Sequence, residues 1–259
     1  VISIASIAVF GFNLGIDFKG GSLLEVQYSQ DRPNTAKVKS LTEELGLSGA
    51  IVQNLDVDSM VITASELTDE KKIELSNQLS FDNQYPFVEK RYKNLGPTIS
   101  SELKNKSLFA IMLVVLAIIC FIAYTFAGVS RPVSSWRYGL VAIVALVHDI
   151  LVPTAVFAAV GSFFVDYQIN VLFVTALLAI LGFSVNDTIV VFDRIRENLK
   201  IAIEKKKPVT GDAFRAIVGM SLQQTFRRSL NTSLTTLIPL GFLFLLGTDT
   251  MKPFALVLA

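Results

Sequence analysis

Four side chains stand where their types are costly and could do chemistry. His148 and Asp149 are adjacent in an apolar run, Asp187 ends the uncharged stretch Ile169 to Asn186, and Arg228 opens another apolar run. An Asp at the centre of a membrane helix costs roughly 2.5–3.5 kcal/mol on insertion scales. Burial favours the protonated carboxyl and a nearby guanidinium the ionised one. An Asp that alternately meets and loses an Arg or water therefore binds and releases a proton, which is the chemistry of a relay. Each elementary charge moved through 100 mV supplies about 2.3 kcal/mol.

Blander readings stand beside this one. Asp187 could be a protonated, hydrogen-bonded tie between helices, His148 could pack against a neighbour, and Arg228 could snorkel to the interface. Asn186, Thr188 and Ser184 are placed to hydrate Asp187. Asn231 and Thr232 open the polar run "NTSLTT" one to two turns above Arg228. The chain has one His and one Cys, Cys120, far apart in sequence, so no Cys/His metal site and no internal disulfide is expected.

The elements that would hold these residues are apolar. The 259 residues are 52% hydrophobic and 17% charged, with a mean hydropathy of +0.55. A net charge of +1 makes no case for nucleic acid. Four stretches suffice in length to cross a bilayer: Ser107 to Ser130, Tyr138 to Val165, Ile169 to Phe192 and Ser229 to Thr248, the last kinked at Pro239. Residues 1–14 and Phe254 to Ala259 read as parts of two further spans, giving six. Asp193 to Arg228 is expected as a basic loop containing Lys205, Lys206 and Lys207. With Arg131 and Arg137 it would be cytoplasmic, leaving Asp166 outside. Lys205 to Lys207 would also touch anionic membrane lipid.

Residues 15–106 are different: eleven Lys/Arg face fourteen Asp/Glu between Leu14 and Lys106. "SLLEVQYS", "AIVQNLDV", "SMVITASEL" and "PFVEKRYKN" read as strands, and "TAKVKSLTEELG" and "TDEKKIELSNQLS" as helices. The order β-α-β-β-α-β predicts a ferredoxin-like α+β domain on the extracytoplasmic side, inserted in an α-helical transmembrane bundle. "GIDFKGG" reads as a tight turn leaving the membrane, too unlike a nucleotide fingerprint to bind one. Gly15, Gly20 and Gly21 on entry, and Gly96 and Pro97 on return, are candidate hinges.

"GIDFKGGSLLEV", "LGPTIS", "LVHDI", "VNDTIVVFDRIREN" and "TFRRSLNTSLTTL" occur in this order. Together they resemble the SecF family of protein-export membrane proteins, in the resistance-nodulation-division superfamily, as a free SecF or the SecF half of a SecDF fusion. The resemblance implies six spans (residues 1–14 belonging to the first and 107–259 to the rest, around a cytoplasmic loop 193–228) in the cell membrane. It implies SecD and the SecYEG channel as partners and unfolded preprotein as substrate. It implies a late stage of translocation driven by proton-motive force, with protons as the coupling ion and no other cofactor. Asp187 matches the family's intramembrane carboxylate, Arg228 its arginine before the fifth span, and His148 and Asp149 its "HD" pair. A non-transducing assembly subunit is the alternative. An intramembrane aspartyl protease using Asp149 and Asp187 is remote: Asn186 stands where those proteases have glycine, and the two depths differ by about 7 Å at 1.5 Å per residue. The chain is expected to be no enzyme.

Overall fold

A computed structural model describes the chain except Val1, Gln30, Ser48, Asp56, Glu66 and residues 126–134, 165–166, 206–209 and 248–250, and the side chains of residues 135–138. Arg131, Asp166, Lys206 and Lys207, on which the sidedness expectation leans, lie outside the described residues, as does the side chain of Arg137. The elements run α1 (Ile2–Phe10), α2 (Ile16–Lys19), β1 (Gly21–Tyr28), α3 (Thr35–Glu44), β2 (Ile51–Asn54), β3 (Ser59–Ala64), α4 (Asp69–Leu79), β4 (Phe87–Leu95), α5 (Pro97–Thr125), α6 (Ser135–Phe163), α7 (Val171–Glu204), α8 (Gly211–Leu246) and α9 (Met251–Leu258). They divide into a helical unit and a sheet unit of residues 13–108 with 164–171.

The sheet unit holds the expected ferredoxin-like arrangement. Its four strands lie in the order β2-β3-β1-β4, every neighbouring pair antiparallel. Alternation along β1 sends Leu24, Val26 and Tyr28 to one face. Met60 and Ile62 of β3, Val38 and Leu41 of α3 and Leu75 and Leu79 of α4 join them in the core. On the opposite face Arg91 pairs with Glu25 at 3.1 Å. Both covering helices start on side-chain caps: Asn34 accepts from the N–H of Ala36, and Thr68 from that of Lys71.

Tyr28 carries a specific cost. Only 2% of it is exposed, and its hydroxyl has no partner among the described residues. Burial disfavours the phenolate and pushes its pKa up to about 12. The unfolded chain, ionising near 10, releases its proton first. Stability is therefore full below pH 10 and falls as pH rises toward 12, by about 2–3 kcal/mol. Tyr28→Phe is expected to abolish that alkaline slope in thermal unfolding of the sheet domain. At neutral pH it should cost nothing and gain up to ~1 kcal/mol.

In the helical unit, four helices, α5 to α8, are long and apolar enough to cross a membrane, and among them α6 and α7 are the more buried. Leu146 of α6 interlocks with Leu181 and Val185 of α7, with Val114, Val115 and Ile118 of α5 against them. Phe157 stacks on Phe173 with centroids 4.7 Å apart. The short apolar helices also pack: α1 lies on α6, where Ser6 Oγ donates to the Ala155 carbonyl, and α9 lies on α8 and α6.

One expectation is corrected. Asp193 to Arg228 is no simple loop: α7 runs on to Glu204 and α8 begins at Gly211. Apolar residues continue on one face past the expected span end. Phe192, Ile195 and Leu199 bury against Ile122 and Ala142, with Phe214 and Ile217 beside them. Asn198, 7% exposed, donates to Ser221 Oγ at 2.8 Å and Gln224 Oε1 at 2.9 Å. Arg194 donates to the same Gln224 oxygen and pairs with Glu197. Charge in this stretch decorates a helical hairpin instead of ending it.

Candidate functional site

A cleft of about 600 Å³ lies within the helical unit, and most of the residues with chemistry meet there. From α6 it takes His148, Asp149 and Pro153; from α7, Ser184 and Asp187; from α8, Thr232, Ser233 and Thr236; Leu256 to Ala259 close it. Asp149 is held at both oxygens. His148 Nδ1 lies 3.0 Å from Oδ1, and Ser184 Oγ donates to Oδ2 at 2.5 Å. His148 is the open member, its side chain 72% exposed against 35% for Asp149. Ser184 precedes Asp187 by three residues, which places Asp187 a rise of about 4.5 Å farther along α7. The two carboxylates thus share the cleft at successive levels, and no hydrogen bond joins them. Asp187 itself is half-buried, with no hydrogen bond or ion pair among the described residues.

Arg228 is placed apart from this group. Its side chain is exposed, does not line the cleft and makes no ion pair among the described residues; its carbonyl accepts from Thr232 Oγ1. The distance along α8 from Arg228 to Thr232 is one turn, about 6 Å. Asn186, Thr188 and Asn231 are not lining residues, whereas Thr232 is. Ser233 and Thr236 join the site from the same polar run, their signal being the return of Thr one turn after Thr232. Pro153 is a further wall residue unremarked in the sequence reading, although a proline inside a span was its signal. Having no N–H, Pro153 offers no donor to the carbonyl of Asp149, four residues before it. Pro239 does the same to Thr235.

The candidate hinges occupy the sheet unit. Gly20 and Gly21 have φ of +79° and +122°, and a Cβ on Gly21 would lie 2.6 Å from the Ala64 carbonyl oxygen. Gly15 precedes α2, and its N–H donates to the Ile169 carbonyl at 3.0 Å. Gly96 has open space around it, and Pro97 is the first residue of α5, a position where its missing N–H is harmless. Sequence reasoning passed over Asp17, in the same motif. It is 5% exposed and bonded to Lys93 and to the N–H of Val171.

The cleft is large enough to admit water, and it holds the exposed imidazole of His148 and the half-buried carboxyl of Asp187, which has no partner among the described residues. Among the described residues no group of three His, Cys, Asp or Glu could hold a metal ion. Helices fit to cross a membrane, ionisable residues lining a cleft among them and a ferredoxin-like domain describe a multi-pass membrane protein.

Residues 76–259 match the family described as protein export membrane protein SecD/SecF, C-terminal, and residues 5–31 match the SecD/SecF GG motif. The chain belongs to the SecD/SecF family of protein-export membrane proteins. It is 38% identical to the protein translocase subunit SecF of Thermobaculum terrenum over 96% of this chain and 78% of that one. To SecF of Anaerolinea thermophila it is 36% identical, over 97% and 79%. The crystal structure of SecDF, a translocon-associated membrane protein from Thermus thermophilus, superposes with a TM-score of 0.82 at 27% identity, over 99% of this chain. The chain spans about a third of that longer protein, 33% of its length.

Proposed function

We propose that the protein is an accessory subunit of the Sec translocase that works with SecD and uses proton movement through the cleft to promote a late stage of preprotein translocation. The observation that carries this reading is Asp187, a half-buried carboxyl with no partner among the described residues, inside a cleft whose neighbouring Asp149 is bonded at both oxygens. A structural tie would have its bonds made; a relay group needs them free for water and for a passing proton. In this reading His148 is the open station, Asp149 and Ser184 the fixed one, and Asp187 the switching one. Arg228 stands one turn along α8 from Thr232 of the cleft wall, outside the group itself. The sheet domain lies on the extracytoplasmic face of the cell membrane, the SecYEG channel is the partner complex, and unfolded preprotein is the substrate.

The alternative of a passive assembly subunit gains from the well-packed Asn198–Ser221 hairpin but gives no role to an unbonded carboxyl. A protease is disfavoured by the levels of the two aspartates. The reading is tested with the assembled complex in vesicles. A protonophore is expected to reduce export to its gradient-independent level. Export indifferent to the protonophore would defeat it.

A further inference from the structure

The GG-motif segment contains a buried carboxylate that the proton path does not use. One oxygen of Asp17 accepts from Lys93 Nζ at 2.5 Å, and the other from the backbone N–H of Val171 at 3.1 Å. Lys93 lies on β4, and Val171 is the first residue of α7, the helix that bears Asp187. The residues just before Val171 are stitched to the same motif. The Gly15 N–H donates to the Ile169 carbonyl, the Ile169 N–H donates to the Asn13 carbonyl at 2.7 Å, and Leu14 bridges to Ile169 in parallel. Ser100 Oγ fixes α2 by donating to the Ile16 carbonyl at 3.1 Å.

We propose that Asp17 is a coupling residue: its carboxylate fastens the Val171 end of α7 to strand β4, so that displacement of α7 is delivered to the sheet domain. The proposal rests on the proton-driven reading for the source of that displacement. Three features favour it. A carboxylate at the start of a long helix meets unsatisfied N–H groups and the positive end of the helix dipole. Lys93 supplies the compensating cation, so the buried charge is paired. From Val171 to Asp187 the chain is one unbroken helix about 24 Å long, at 1.5 Å per residue, stiff enough to carry a shift from end to end.

The structure also supplies a substitute for the bond. A Cβ placed on Gly15 would lie 3.4 Å from Cβ of Asn170, close to the roughly 3.5–4.5 Å of disulfides. The test uses the SecD-containing complex in vesicles, with Cys120→Ser throughout, and compares Asp17→Ala with and without the pair Gly15→Cys and Asn170→Cys. Asp17→Ala alone is expected to assemble, take up protons near the parental rate and lose gradient-dependent export at least tenfold. Adding the oxidised pair restores export, and reduction removes it again. Full export by Asp17→Ala, loss of proton uptake together with export, or failure to assemble whether or not the pair is oxidised overturns the proposal. So does export that the disulfide fails to restore. Asp187→Asn run in parallel keeps the two ideas apart: unchanged export there defeats the proton-driven reading, while the redox-switched arms judge the fastening.

Discussion

Asp187→Asn leaves the complex assembled and export stranded at its gradient-independent rate. Asn is nearly isosteric with Asp and can occupy the same half-buried place, so the cleft wall that it shares with Ser184 and Thr232 keeps its shape. It cannot take up or give back a proton. The lost driving term is about 2.3 kcal/mol per charge at 100 mV, which corresponds to a roughly fiftyfold bias. Export measured across a range of imposed gradients should therefore go from steep to flat. Capture of SecD by a tagged chain should be unchanged. A variant that exports as well as its parent at every gradient, or that fails to capture SecD, places Asp187 among structural ties.

Gly21→Ala is expected to have the largest effect on the fold. Gly21 opens β1 with φ at +122°, where a side chain is strained, and the new Cβ would stand 2.6 Å from the Ala64 carbonyl oxygen on β3. Backbone, not a flexible side-chain tip, is what it meets. The expected loss is about 3–5 kcal/mol, out of the 5–15 kcal/mol that holds a typical domain together. Limited proteolysis of the assembled complex should show the sheet domain cut at temperatures where the parent resists. Gly96→Ala is the contrast: φ there is not positive and the space is open, so the domain should survive unchanged.

The sheet domain was nearly complete in the sequence because its signals are local. Alternation in "SLLEVQYS" and the cap at Thr68 need no distant partner to be read. The four long helices were visible for the same reason, as length and absence of charge alone define them. What escaped depends on contacts across the chain. Local pairs such as Arg194 and Glu197 carry the helix only to about Asn198, and its continuation to Glu204 goes with Asn198 meeting Ser221 and Gln224 on α8. Asp17 looked like part of a turn because its partners are 76 and 154 residues away. At the cleft, His148, Asp149, Asp187 and Thr232 were identifiable as polar residues in apolar surroundings. Which oxygen of Asp149 is taken, and that Arg228 stands outside, are matters of helix rotation that composition does not encode.

Pro153 and Pro239 have a consequence for how the cleft ages under mutation. Each withholds a donor from a carbonyl on a helix that walls it, and in hydrocarbon such a carbonyl draws in any donor that can reach it. These two acceptors belong to the main chain, so replacing one serine or threonine of the cleft wall does not remove them. Exchanging either imino acid for alanine would give an N–H back to the helix and close that acceptor off.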